Sequence, residues 1–208
     1  MYKIKEIYYT IQGEGYHTGR PAVFCRFAGC NLWSGREVDR DKAVCKFCDT
    51  DFWGTDGVLG GKYTAESLAD LLVSLWPESN EPVFVVCTGG EPGLQMDDRL
   101  IQTFHDNGIE IAIETNGTVT LPEGIDWICV SPKANTEIII TRGHELKLVY
   151  PQKENTPSNY ENLDFDHFYL QPLDDQNQKE HIQQTIDYCK LHPNWKLSIQ
   201  THKFLGID

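Results

Sequence analysis

Val83-Phe-Val-Val-Cys-Thr-Gly-Gly-Glu-Pro92 decides the fold. Its first five residues are an unbroken apolar run of strand length, as expected of a parallel strand buried on both faces. Gly89-Gly90 then lets the backbone come close to a ligand, and Pro92 fixes the turn. A plain strand-to-helix turn would read the same way. Working outward, residues 64–76 place Leu68, Leu71, Leu72, Leu75 and Trp76 at helical spacing behind Thr64, a good N-cap. Residues 97–107 read as a second helix that Gly108 ends, and 109–113 as the next strand. Residues 3–11, 22–28, 127–130, 146–150, 168–170 and 195–200 read as further strands, and 178–191 as a helix with Ile182, Ile186 and Cys189 on one face.

Strands alternating with helices indicate parallel βα units. A chain of 208 residues falls short of the ~250 of a closed eight-fold barrel. The expectation is an α/β fold: one domain over 1–208, a partial, open (βα) barrel with fewer helices than strands. Ligands then gather where the strands end. Gly15, Cys30, Thr88-Gly-Gly90, Glu114-Thr-Asn116, Ser131-Pro-Lys133 and Gln171-Pro172 follow strand-like runs and are expected to share one rim.

Composition narrows the function. Hydrophobic residues make up 40%, enough for a core. No apolar run approaches the ~20 residues of a membrane helix, and no signal peptide opens the chain, so a cytoplasmic protein is expected. A net charge of −13 without a Lys/Arg-rich run argues against direct nucleic-acid binding and for a small-molecule substrate. Seven cysteines are an odd number. Cys25, Cys87, Cys129 and Cys189 lie among apolar residues and read as core. Cys45-Lys-Phe-Cys48, with fourteen residues between Cys30 and the pair, is a candidate site. Three readings are open from the cysteines alone. A redox pair is one and half a zinc site another. The third is three thiolates on a four-iron cube with one iron left free.

The cysteines and the Gly-Gly-Glu-Pro turn together resemble the radical S-adenosylmethionine (SAM) superfamily, which also places an aromatic residue, here Phe47, before its last cluster cysteine. The usual superfamily spacing has three residues between the first two cysteines. The long spacer here, with Tyr9-Thr-Ile-Gln-Gly-Glu-Gly15, Phe24-Cys-Arg-Phe-Ala-Gly-Cys-Asn-Leu-Trp33, Cys48-Asp-Thr50 and Gln200-Thr-His-Lys203, resembles the 7-carboxy-7-deazaguanine synthase family over almost the whole chain. The resemblance implies a radical SAM lyase that turns 6-carboxy-5,6,7,8-tetrahydropterin into 7-carboxy-7-deazaguanine and ammonia, a step toward queuosine and related 7-deazapurines, with SAM regenerated. It implies a [4Fe–4S] cluster on Cys30, Cys45 and Cys48, and Mg²⁺ on Thr50. SAM is to be bordered by Phe47, Cys48, Asp49 and Gly90, by Glu114 and Asn116, by Ser131, Pro132 and Lys133, and by Gln171, Pro172, Leu173 and Asp174. The pterin is to meet Ile11, Gln12, Gly13 and Glu14, then Arg26 for its carboxylate, Thr88, His202 and the chain-end Asp208, where the family has proline. No catalytic side chain is implied beyond these, because SAM carries the radical. A flavodoxin-type electron donor and a homodimer complete the expectation. A radical SAM activase of a protein partner and a non-catalytic zinc-binding module are the rival readings.

Overall fold

The computed structural model describes residues 1–207, so Asp208 and the role expected of it lie outside the described residues. Among the described residues nine strands form one sheet. They are β1 (Tyr2–Ile11), β2 (Pro21–Phe27), β3 (Gly61–Tyr63), β4 (Val83–Gly89), β5 (Ile109–Thr115), β6 (Trp127–Val130), β7 (Arg142–Tyr150), β8 (Asp164–Pro172) and β9 (Trp195–Leu197), in the order β3-β1-β2-β4-β5-β6-β7-β8-β9. Four helices accompany them: α1 (Ala65–Leu75), α2 (Asp98–Asp106), α3 (Gln178–Leu191) and α4 (Thr201–Leu205). The α/β class and the excess of strands over helices are as the sequence predicts.

From β2 onward every pairing is parallel. The N-terminal corner differs, since β1 is antiparallel to both β2 and β3. The nine-residue link 12–20 is too short for a crossover, which needs a dozen residues or more. The chain therefore turns back on itself there. Gly61–Tyr63 is too short to show alternation, and the final strand pairs only as far as Leu197. Ser198 still donates its N–H to Leu170 O, but Thr201 N–H already reaches Gly13 O on the opposite side.

One layer of the core lies between the sheet and the helices. Val23, Cys25, Val85, Cys87, Ile111 and Ile113 meet Leu68, Leu72, Leu100 and Phe104, all fully buried. Each large aliphatic side chain there contributes roughly 1.5–3 kcal/mol by leaving water. Thr64 caps α1: its side chain accepts from Ser67 N–H, and the Ser67 hydroxyl returns to Thr64 N–H. A second cluster joins β6, β7 and β8 to Trp195 and to Tyr188 and Cys189 of α3. No described helix is long and apolar enough to cross a membrane.

The sheet curls without closing. Its seam is bridged by loops rather than by strand pairing: Gly15 N–H donates to Ser198 Oγ at 2.9 Å, and Gln200 Nε2 donates to Glu14 Oε1 at 3.0 Å. The link 12–20 does not join the rim where Gly15 was expected. Because β1 is antiparallel, this link crosses the end where the parallel strands begin. There Tyr16 stacks on Trp127 and His167, His17 packs on Phe84 and Trp127, and Arg20 pairs with Glu110. The link is the floor of the half-barrel.

Candidate functional site

A cavity of about 430 Å³ opens at the ends of the parallel strands. That is the size range of a small-molecule site. Cys45, Phe47, Cys48, Asp49 and Thr50 form one side of it. Gln12, Gly13 and Glu14 reach it from the floor, and His202 from α4.

The three candidate cysteines meet at its edge. Cys30 follows β2; Cys45 and Cys48 follow a 3-10 turn over Glu37–Lys42. None is in a disulfide. A hydrogen bond from the Cys45 thiol pushes Cys48 down to about 6, and the same bond, with burial, drives Cys45 up. Burial raises Cys30, although Leu32 N–H donates to its sulfur at 3.4 Å. Among the described residues no three His, Cys, Asp or Glu side chains stand close enough to share one metal ion.

The Gly-Gly-Glu-Pro turn holds this corner together. A Cβ on Gly90 would lie 2.2 Å from Gly29 O and 2.8 Å from Cys30 Cβ, so only glycine lets the β4 end approach the first cysteine. Glu91 is buried and accepts three bonds: from Gly93 N–H at 2.9 Å, Thr115 Oγ1 at 2.8 Å and Asn116 N–H at 2.7 Å. Burial raises its pKa despite these donors. It ties the turn to the end of β5 and so places Asn116, whose Nδ2 donates to Asn31 Oδ1 at 3.0 Å.

Under the cavity lies a buried ionic group. Lys147 Nζ is 2.8 Å from Glu14 Oε2 and 2.9 Å from Glu114 Oε2. Gln171 and Gln200 both donate to Glu14 Oε1 at 3.0 Å. Burial alone would raise Glu14, but the Lys147 ammonium and these donors override it and hold Glu14 down to about 2. Burial would lower Lys147, and Glu114 and Glu14 reverse that.

Most residues expected from the sequence line the cavity. On the cysteine side Phe47, Asp49 and Thr50 do so. Thr88 and Gly90 stand at the β4 end, and Glu114 and Asn116 at the β5 end. Ser131 and Lys133 follow β6, Gln171 and Pro172 end β8, and Leu173 and Asp174 come directly after it. Lys133 Nζ donates to Ser131 Oγ at 2.6 Å. Lys203 Nζ joins Asp49 at 2.9 Å to Asp174 at 2.5 Å across the mouth. Arg26 lines the cavity but already donates to Glu6 Oε1 at 2.7 Å and to Tyr8 Oη at 3.0 Å. Ile11 lines it while remaining partly exposed. A Cβ on Gly13 would come within 2.3 Å of His202 Nδ1, so this glycine admits the imidazole. Cys30 and Pro132 stand behind the lining; Pro132 O accepts from buried Asn155 Nδ2 at 3.2 Å. Glu91, Lys147 and Lys203 belong to the site and were not foreseen as site residues. Lys147 had a signal, a lone cation inside the apolar run Leu146-Lys-Leu-Val149.

No family model matches the chain. Curated relatives do. It is 59% identical to the 7-carboxy-7-deazaguanine synthase of Bradyrhizobium diazoefficiens over 207 residues, 99% of each chain. It is 44% identical to that of Bacteroides thetaiotaomicron, over 100% of this chain and 99% of the relative. Among solved structures it is similar to QueE from Escherichia coli, with a TM-score of 0.75 at 27% identity, covering 96% of this chain and 93% of that one.

Proposed function

This chain belongs to the 7-carboxy-7-deazaguanine synthase family, and on that premise we propose that its cavity converts 6-carboxy-5,6,7,8-tetrahydropterin to 7-carboxy-7-deazaguanine and ammonia. The observation that carries this reading is the meeting of Cys30, Cys45 and Cys48 beside a cavity floored by Gln12, Glu14 and Lys147. The donor set fits a [4Fe–4S] cluster: three free thiols that act on one another at the cavity edge, one of them made acidic by its neighbour. When bound, the cluster and SAM supply a reducing electron and hydrogen-atom abstraction, and the protein supplies position and shielding.

The conversion loses one ammonia and is redox-neutral overall, which is compatible with SAM being returned. The chain's own residues divide the remaining work. Asn116 and Glu114 present polar groups for the SAM ribose, Ser131 and Lys133 for its polar ends, and the glycine at 90 leaves room for the methionine portion. Gln12, Thr88 and His202 offer the donors and acceptors that an amino-pyrimidinone edge requires. The planar Arg26 fork suits the pterin carboxylate, with Glu6 holding it in place. Lys147 neutralises Glu14 and Glu114 and fixes both in place on the cavity lining.

Thr50 is the proposed Mg²⁺ contact. A single hydroxyl is a weak ligand, and Mg²⁺ keeps waters and borrows substrate oxygens. Thr50→Ala is expected to weaken the stimulation of turnover by Mg²⁺ several-fold while leaving the cluster absorbance intact. Unchanged metal dependence would remove Thr50 from the site.

The proposal extends to a flavodoxin-type electron donor, to a homodimer and to a cytoplasmic location. The exposed apolar Phe204, Leu205 and Ile207 are compatible with a partner subunit. The charge of −13 supports a small substrate over direct nucleic-acid contact.

The test is an anaerobic incubation of cluster-loaded protein with SAM, Mg²⁺, dithionite and the carboxy-tetrahydropterin, followed by mass spectrometry. The expected product is lighter than the substrate by one ammonia, with SAM not consumed in proportion. Accumulation of 5′-deoxyadenosine with the pterin intact would overturn the substrate. Zinc without sulfide in the purified protein would overturn the cluster.

A further inference from the structure

Beneath the layer formed by Gln12, Glu14 and Glu114 lies a second, much smaller void of about 10 Å³. It is separate from the substrate cavity but shares that layer with it. A void of this size holds about one water. His17 and Glu145 also line it. Each brings a buried polar atom without a hydrogen-bond partner, His17 Nε2 and Glu145 Oε1. The other oxygen, Glu145 Oε2, accepts from Tyr16 N–H at 3.1 Å.

Among the groups that act most strongly on Glu145, Lys147 is the cation. Lys147 is already shared by Glu14 and Glu114. Facing Glu145 from the adjoining elements are Lys147 of its own strand, Glu114 of β5, Cys129 of β6, Tyr169 of β8, and Glu14 and His17 of the floor. The Cys129 thiol is a weak donor between Glu114 and Glu145. Three buried carboxylates around one ammonium would leave two uncompensated charges, which is costly. A protonated Glu145 leaves one. It also matches the void: a carboxylic O–H donates to a water, and that water donates to an unprotonated imidazole nitrogen.

We propose that one buried water joins Glu145 to His17 in this void, and that Glu145 is the neutral acid that holds it, a positioning residue keeping Glu14 and Glu114 on Lys147. The titration of both groups is consistent. Burial, reinforced by Glu114 and opposed by Lys147, raises Glu145 to about 7. Burial, with Arg20, lowers His17 to about 4, so its ring is neutral at working pH. The sign follows from the raised carboxyl. The contribution of Glu145 to stability is complete below about 4.5 and is lost as pH climbs through about 7.

The experiment is infrared spectroscopy on the cluster-loaded protein without substrate at pH 6 and pH 8.5, paired with thermal melting. The wild type is expected to show a protonated-carboxyl stretch at pH 6 that is gone at pH 8.5. Glu145→Gln is expected to lack the band and to lose less melting temperature over the same interval. Glu91 is another buried carboxyl, so a band that persists in Glu145→Gln would assign the proton there and overturn the proposal. Identical melting slopes would do the same. His17→Phe removes the acceptor and is expected to shift the stretch to higher frequency; an unmoved band would refute the bridging water. These readouts involve no pterin, so their failure is distinct from failure of the substrate assignment. With substrate, the ratio of kcat/KM at pH 6.5 to that at 8.5 is expected to fall severalfold toward one in Glu145→Gln.

Discussion

Cys45→Ala is expected to yield a folded, colourless protein with no turnover. Cys45 is buried and donates to Cys48, and its removal leaves two thiols where three must each hold an iron. Removing the donor also takes away what lowers Cys48, so the remaining thiol returns toward the ordinary range and ionises less readily at neutral pH. Iron and sulfide analysis, visible absorbance and product formation are the readouts, and all three should fall to background. Cys25→Ala is the matched control. That side chain is also fully buried, but it packs in the apolar layer with Cys87, so its loss should lower the melting temperature and spare the colour. A coloured, active Cys45→Ala protein would end the ligand assignment.

Lys147→Met is expected to cost about 3–5 kcal/mol, the range for breaking a buried ion pair from one side. For a chain of this length that is roughly 6–20 °C in melting temperature. The dependence on pH is the sharper signature. In the wild type Glu14 sits down at about 2, so its contribution is present above about 4.5 and is lost only as pH falls through about 2. Without Lys147, burial dominates and Glu14 moves up instead, so the variant weakens as pH rises. The gap between the two proteins should therefore widen from pH 5 to pH 7.5. A gap that stays constant would mean that methionine fails by its shape alone. Turnover should fall as well, because Glu14 loses its anchor beside Gln171 and Gln200.

The parallel part of the fold was legible because buried strands leave apolar runs. Trp127–Val130 and Gln178–Leu191 have the same bounds in the sequence reading and in the structure. The rim residues were legible because turns after such runs carry glycine, asparagine and proline. The floor was not. The direction of β1 depends on the length of the link that follows it, and periodicity carries no sign of direction. Lys147 is marked as a lone cation in an apolar run, but Glu145 and Lys147 also alternate with apolar residues as strand residues do, and the local sequence does not tell that they share a buried ionic group. The bridging role of Lys203 was hidden for a related reason: its partners Asp49 and Asp174 are 154 and 29 residues away in the chain.

The loop-bridged seam bears on how the protein is made. Cys30, Cys45 and Cys48 belong to the first quarter of the chain, whereas Ser198, Gln200 and Thr201, which fasten the seam to Gly13, Glu14 and Gly15, come about 150 residues after Cys48. At ~5–20 residues per second that interval is roughly 8–30 s of translation. During it the three thiols exist on a nascent chain whose cavity has neither its closing wall nor His202. The site's wall is thus completed only near the end of synthesis, and slower elongation would lengthen the interval in which these cysteines lack it.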